Sequence, residues 1–231
     1  MQDVSFPDRA VQGQALARRD VEALANIAAP AHLTDCDLED ADLAGLELTG
    51  WTFERCTLRR ARLVDARLDG TRWTACRGAF ADFSDAELDG AAFEGSDFNN
   101  AAFCRAMLAS ATFKGCKLTG ADLSDIRGMG LVFEESLLVS TRLAGRSFRK
   151  QTLRRVDLSQ ADLRKCDFRA TVFEGCSLRD ANLAGAHFEN ADLRGADLGG
   201  LRLIDAALFR GATISTDQAS QLLAELGLKL G

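Results

Sequence analysis

From Leu33 to Leu208 an apolar residue recurs at every fifth position of the chain. Of the 36 positions in this phase, 22 are Leu, 11 are Phe and one is Trp73, and only Gly78 and Gly128 depart from it. The position two before the centre prefers small residues, as at Cys36, Ala41, Cys56, Ala61, Ala66 and Cys76. The other positions are polar, with Asp42, Glu87, Asp122 or Asp162 before the centre and Arg, Glu or Ser after it. A period of five fits neither the 3.6 of a helix nor the 2.0 of a strand. The chain therefore turns once per unit and points one large and one small side chain at a common axis. Gly fills 13 of the corner positions two after the centre, including Gly45, Gly50 and Gly70, which suits a backbone that bends there.

The two ends fall outside this pattern. Residues 1–30 form an N-terminal cap, with Asp20 to Ala28 predicted as a short helix that has Asp20 as its N-cap and Pro30 closing it. Residues 31–211 form the repeat body, and residues 212–231 a C-terminal cap. There Ser215-Thr216-Asp217-Gln218 is a capping box that opens a helix, and Gly227 stops it. The helix sets Ala219, Leu222, Leu223 and Leu226 on one apolar face, and with Leu228 these offer more surface than one coil needs. A homodimer through the C-terminal helix is the expectation.

Units such as Ala41-Asp42-Leu43, Ala121-Asp122-Leu123, Ala161-Asp162-Leu163 and Ala191-Asp192-Leu193 carry a resemblance to the pentapeptide-repeat family, whose loose consensus is Ala-(Asp/Asn)-Leu-x-x. The resemblance implies an all-β solenoid, a right-handed quadrilateral β-helix with four units per coil and short capping helices at both ends. About nine coils then make a rod of roughly 43 Å at parallel-strand spacing.

Sorting the chain by twenty tests this internally. One column of centres runs Leu33, Phe53, Trp73, Phe93, Phe113, Phe133, Leu153, Phe173, Leu193, and gathers aromatics on one side. The opposite column, Leu43 to Leu203, is Leu except at Phe83 and Phe103. Each Gly interruption precedes a Phe in its own column, Gly78 before Phe98 and Gly128 before Phe148, so each ring is expected to fill part of the void. No Pro lies between Ala31 and Arg210, as an unbroken ladder requires, and no insertion shifts the phase.

Composition and charge narrow the chemistry. A net charge of −6 argues against direct nucleic-acid binding. There is neither a signal peptide nor an apolar run of membrane length, so a cytoplasmic protein is expected. Of seven Cys, five (Cys36, Cys56, Cys76, Cys116 and Cys176) fall in one inward column with Ser96 and Ser136, and read as small buried thiols. With only His32 and His187, no Tyr, no Gly-rich phosphate loop and no nucleophile elbow, no catalytic residue, cofactor site or metal site is indicated and an enzyme is not expected. Acids and bases alternate in bands along the rod, with seven acids and no base over residues 35–54 and a basic stretch from Arg142 to Arg155.

The tail from Ala212 to Leu228 is similar to the close of the Qnr and MfpA group within that family. This resemblance implies a partner, a type II topoisomerase (DNA gyrase or topoisomerase IV), which such proteins bind partly as DNA mimics and protect from quinolones or peptide-type poisons. Carried over, the DNA-like residues are Asp42, Asp82, Asp85, Asp122, Asp125 and Asp162. The dimer contact is Ala219, Leu222, Leu223, Leu226 and Leu228. The unbroken phase places the chain nearer the loop-free members. The alternative is a non-enzymatic scaffold or adaptor that offers a flat solenoid face to another protein.

Overall fold

The computed structural model describes residues 10–27, 29–200, 208–225 and 227–228. Its strands are β1 (Ala10–Gln12), β2 (His32–Thr34), β3 (Thr52–Glu54), β4 (Arg72–Thr74), β5 (Ala92–Glu94), β6 (Thr112–Lys114), β7 (Val132–Glu134), β8 (Thr152–Arg154), β9 (Val172–Ser177) and β10 (Asp192–Asp197). All pair in parallel in chain order as one sheet. Leu33 lies opposite Phe53, Phe53 opposite Trp73, and Trp73 opposite Phe93, so one coil takes twenty residues. The remaining faces repeat the offset through single bridges such as Asp42 with Arg62 and Leu137 with Asp157. The chain is thus a right-handed four-sided β-helix of about nine coils.

The five-residue pattern explains each turn. The centres point inward and are buried, from Leu33 and Leu43 through Leu63 and Leu123 to Leu193. Burial of each large centre contributes about 1.5–3 kcal/mol. From Asp35 to Gly200 every corner residue except Gly195 turns through the left-handed region whether or not it is Gly, as at Asp40 with φ 57° and Asn100 with φ 57°. The strain is offset because corner amides also join the ladder, as when Asp40 donates to the Arg59 carbonyl at 2.9 Å.

The aromatics stack as the column sorting predicts. Phe53 and Trp73 lie 3.9 Å apart with planes 2° from parallel, and Phe83 and Phe103 lie 4.9 Å apart at 1°. Trp73 meets Phe83 edge to face at 5.7 Å and 89°, which interlocks the two columns. The buried indole N–H of Trp73 donates to the Thr71 hydroxyl at 2.9 Å, so a small position carries Thr where the core needs an acceptor. The thiol column is equally organised, with Cys56 Sγ donating to the Leu33 carbonyl at 3.3 Å and Ser96 Oγ to the Trp73 carbonyl at 3.1 Å.

Four expectations are revised. β1 pairs with β2 before the repeats begin, and Leu16 and Val21 are buried, so the N-terminal segment extends the sheet as well as capping it. Helix α1 spans Arg18–Ala25 with Ala17 as N-cap. Asp20 sits inside its first turn and accepts the Ala17 amide at 2.9 Å, so it caps from within. Phe98 does fill the space at Gly78, but a Cβ on Gly128 would meet the Ala109 backbone and not Phe148. The phase does slip late. Phe188 stacks on Phe209 at 4.8 Å and donates its amide to the Leu208 carbonyl, which makes that last step one residue longer than the others. Leu203 lies outside the described residues.

Helix α2 (Thr216–Glu225) closes the far end. Its capping box forms as predicted, with the Gln218 amide donating to Ser215 Oγ at 3.2 Å and the Ser215 amide to Gln218 Oε1 at 2.7 Å.

Candidate interaction surface

The repeat fixes where the candidate acids stand. Asp42, Asp82, Asp122 and Asp162 share one column on one face, two coils (roughly 10 Å) apart in sequence order. Between them stand Arg62, Ala102 and Arg142, each bridged to its neighbours. The column therefore alternates in sign at Arg62 and Arg142 but not at Ala102. Arg62 reaches Asp42 at 3.1 Å and Arg142 reaches Asp122 at 3.0 Å. Arg164 holds Asp162 through two contacts of 2.7 Å.

Asp82 turns its Oδ1 to the Ser84 amide at 2.9 Å, a corner hydrogen bond that Asp122 and Asp162 also make with Ser124 and Arg164. Asp85 and Asp125 stand in a different column, at the next corner. Arg105 grips Asp85 with contacts of 2.8 and 2.5 Å. Among the described residues, nothing hydrogen-bonds or ion-pairs the Asp125 carboxylate.

These contacts set the acidities. The Arg105 hydrogen bond holds the Asp85 carboxyl below the usual carboxylate value, and the Arg164 hydrogen bond does the same for Asp162. At Asp122 partial burial pushes the carboxyl up, but hydrogen bonds from Ser124 and Arg142 outweigh it and the net direction is down. All three are held as anions by cations alongside, whereas among the described residues no Arg or Lys ion-pairs Asp82 or Asp125.

At the C-terminal end, Gln218 is buried and donates to the Leu193 and Ala196 carbonyls at 2.6 Å each, which ties α2 to the last coil. Leu222 packs into the core, and Ala219 and Leu223 are half-buried. Leu228 is 56% exposed, and Leu226 lies outside the described residues. Leu222 thus serves the cap, while Leu223 and Leu228 face outward in part or in full.

Two surface features escaped the sequence reading. Met107 and Met129 are exposed on one face, and Arg146 stands half-buried in a column of small residues. Ile126-Arg127-Gly128 was the available signal, because it puts the bulky residue where the repeat wants Ala and nothing where it wants Leu. Among the described residues no three His, Cys, Asp or Glu side chains gather as a metal site requires, and no helix is long and apolar enough to cross a membrane.

The family model described as pentapeptide repeats matches in eight copies, over residues 31–60, 56–95, 86–125, 133–169 and 171–208. Among solved structures, the chain is similar to HetL, a pentapeptide repeat protein involved in heterocyst differentiation regulation from the cyanobacterium Nostoc sp. strain PCC 7120. Identity is 22%, covering 82% of this chain and 86% of that one, with a TM-score of 0.64. It is also similar to full-length QnrB1, a plasmid-mediated fluoroquinolone resistance protein, at 18% identity over 95% of this chain and 97% of that one, with a TM-score of 0.54. At these identities the likeness is one of fold. None of the curated protein sequences compared with the chain matches it.

Proposed function

The chain belongs to the pentapeptide-repeat family, and from that premise we propose that it is a non-catalytic cytoplasmic rod that binds a type II topoisomerase and shields it from quinolones or other poisons. The observation that carries this reading is the C-terminal closure. The segment from Ala212 to Leu228, which resembles the close of the Qnr and MfpA group, contains helix α2 (Thr216–Glu225), pinned on the last coil by Gln218. Support also comes from the QnrB1-like fold, which extends over nearly the whole chain.

The charge pattern shapes the mechanism. A DNA duplex shows one negative charge per about 1.7 Å of axis, whereas the column from Asp42 to Asp162 sets four Asp two coils apart and interrupts them with Arg62, Ala102 and Arg142. Any mimicry of DNA is therefore of shape, and specificity comes from ion pairs that re-partner across the contact. The dimer we propose is built from Ala219, Leu223, Leu226 and Leu228, since Leu222 is used in the cap.

The test is gyrase supercoiling with purified protein, in the presence and absence of a fluoroquinolone. Restored supercoiling under the drug, or direct inhibition without it, is expected. No effect in either arm overturns the reading. The paired charges on the Asp42–Asp162 face favour one second reading, an adaptor for a different protein, and a pull-down that consistently recovers a non-topoisomerase partner would establish it.

A further inference from the structure

Among the described residues, the ladder that joins successive coils lapses between the stretch 125–131 and the stretch 144–152. One coil earlier the bonding is regular, with the amides of Leu108 and Ser110 donating to the Arg127 and Met129 carbonyls at 2.8 Å each. The corresponding amides of Asp125, Gly128 and Gly130 reach no carbonyl of Ala144, Ser147 or Arg149, and those of Ser147 and Thr152 do not reach Ile126 or Leu131. Strands β7 and β8 keep one residue pair in register, Glu134 with Arg154, where the strand pairs on either side keep three.

The side chains explain the parting. Ile126 is too large for its small position, Gly128 is exposed where a buried Leu or Phe belongs, and Arg146 follows Ile126 in a column that continues as Cys166 and Ala186. Gly128, at φ +99°, lies against the Ala109 backbone of the preceding coil, so this coil holds to its predecessor and leaves its successor. The family model breaks at the same place, since its copies leave residues 126–132 unmatched.

The opening is chemically specific. The Arg146 guanidinium is half-buried and makes no hydrogen bond or ion pair to any described residue. Burial draws its pKa below the ordinary arginine value, so its charge lacks compensation. Met129, 85% exposed, and Val132, 44% exposed, add apolar surface to the coil that carries the stretch 125–131. Both rims present free backbone N–H and C=O groups in alternation. Such rims match an extended peptide, whereas the free carbonyls repel a bare anion.

We propose that the opening between the stretch 125–131 and the stretch 144–152 docks an extended acidic segment of a partner protein, which adds as a strand and sets a carboxylate on Arg146. The site does not depend on whether that partner is a topoisomerase.

The experiment is fluorescence anisotropy of a labelled decapeptide alternating glutamate and valine, titrated with the full chain. Saturable binding is expected, weakened at least about tenfold by Arg146→Ala, which removes a charge-assisted contact. Ala suits that column, so the variant keeps its fold, which circular dichroism checks. N-methylation of alternate peptide amides abolishes binding, and at saturation the Asp125, Gly128 and Gly130 amides gain protection from hydrogen exchange. Absence of binding overturns the proposal, as does equal affinity for Arg146→Ala or for a peptide with lysine in place of glutamate. Retained binding of the N-methylated peptide, displaced by inorganic phosphate at constant ionic strength, would mark a plain anion site and also overturns it.

Discussion

The ring of Phe98 stands where a Cβ on Gly78 would have to go. The two residues share a column one coil apart, and the missing side chain of one makes room for the large side chain of the other. Gly78→Leu restores the residue the repeat prefers, yet it is expected to destabilise the protein by about 1–3 kcal/mol through overpacking. Adding Phe98→Leu recovers most of that loss. Urea unfolding of both variants checks this, and a stabilised Gly78→Leu would show that the ring can move aside.

Gln218 joins α2 to the last coil through two donated hydrogen bonds and completes the capping box with a third, accepted one. Gln218→Ala leaves the Leu193 and Ala196 carbonyls without this donor, and costs about 1–3 kcal/mol. Exchange of the α2 amides should quicken more than that of the central coils. Unchanged exchange in α2 would mean that Leu222 alone holds the helix.

Much of this was legible in the sequence because a solenoid repeats its environment. The same five-residue arrangement recurs in each unit, so Leu43, Phe103 and Leu163 announce their burial by phase alone. The exceptions share a cause. β1 has no repeat signature, since its three residues are held by the edge of β2. The opening at Arg146 keeps the count of five and changes only which position is large, so counting centres passes over it. The pairing of Asp42, Asp85 and Asp122 with Arg62, Arg105 and Arg142 was not legible, because it depends on residues twenty away, which meet only once coils stack.

Acid should unfold the protein through its aspartate–arginine pairs. The hydrogen bonds of Arg164 and Arg169 hold the Asp162 and Asp167 carboxyls below their ordinary value. A carboxyl depressed in the folded state stabilises it fully above the unfolded value of about 3.9, and this is lost as pH falls through the folded value. The melting temperature is expected to be flat from neutrality to about pH 5 and to fall below about pH 4. Asp162→Asn and Asp167→Asn each lower it by about 2–4 °C at pH 7 and flatten the acid limb. A melting curve with the same acid limb in both variants would contradict this.

The thiols should divide sharply in reactivity. Burial pushes Cys116 up to about 11 and Cys166 up to about 12, which leaves little thiolate at pH 8. Cys104 is half-exposed, and its sulfur accepts a hydrogen bond from Arg105 at 3.2 Å. A thiol-reactive dye at pH 8 is expected to label Cys104 in the native protein and all seven Cys in denaturant. Cys104→Ser abolishes the native fast phase. Fast labelling of that variant would place another thiol at the surface.

Residue-resolved hydrogen exchange on the free protein bears most directly on the parallel coil ladder and its lapse between the stretches 125–131 and 144–152. Slow exchange is expected for the ladder amides of the central coils, such as Leu63, Leu88 and Leu108, and fast exchange for Asp125, Gly128, Gly130, Ser147 and Thr152. Uniform protection straight through residues 125–152, or fast exchange throughout the central coils, would contradict the account.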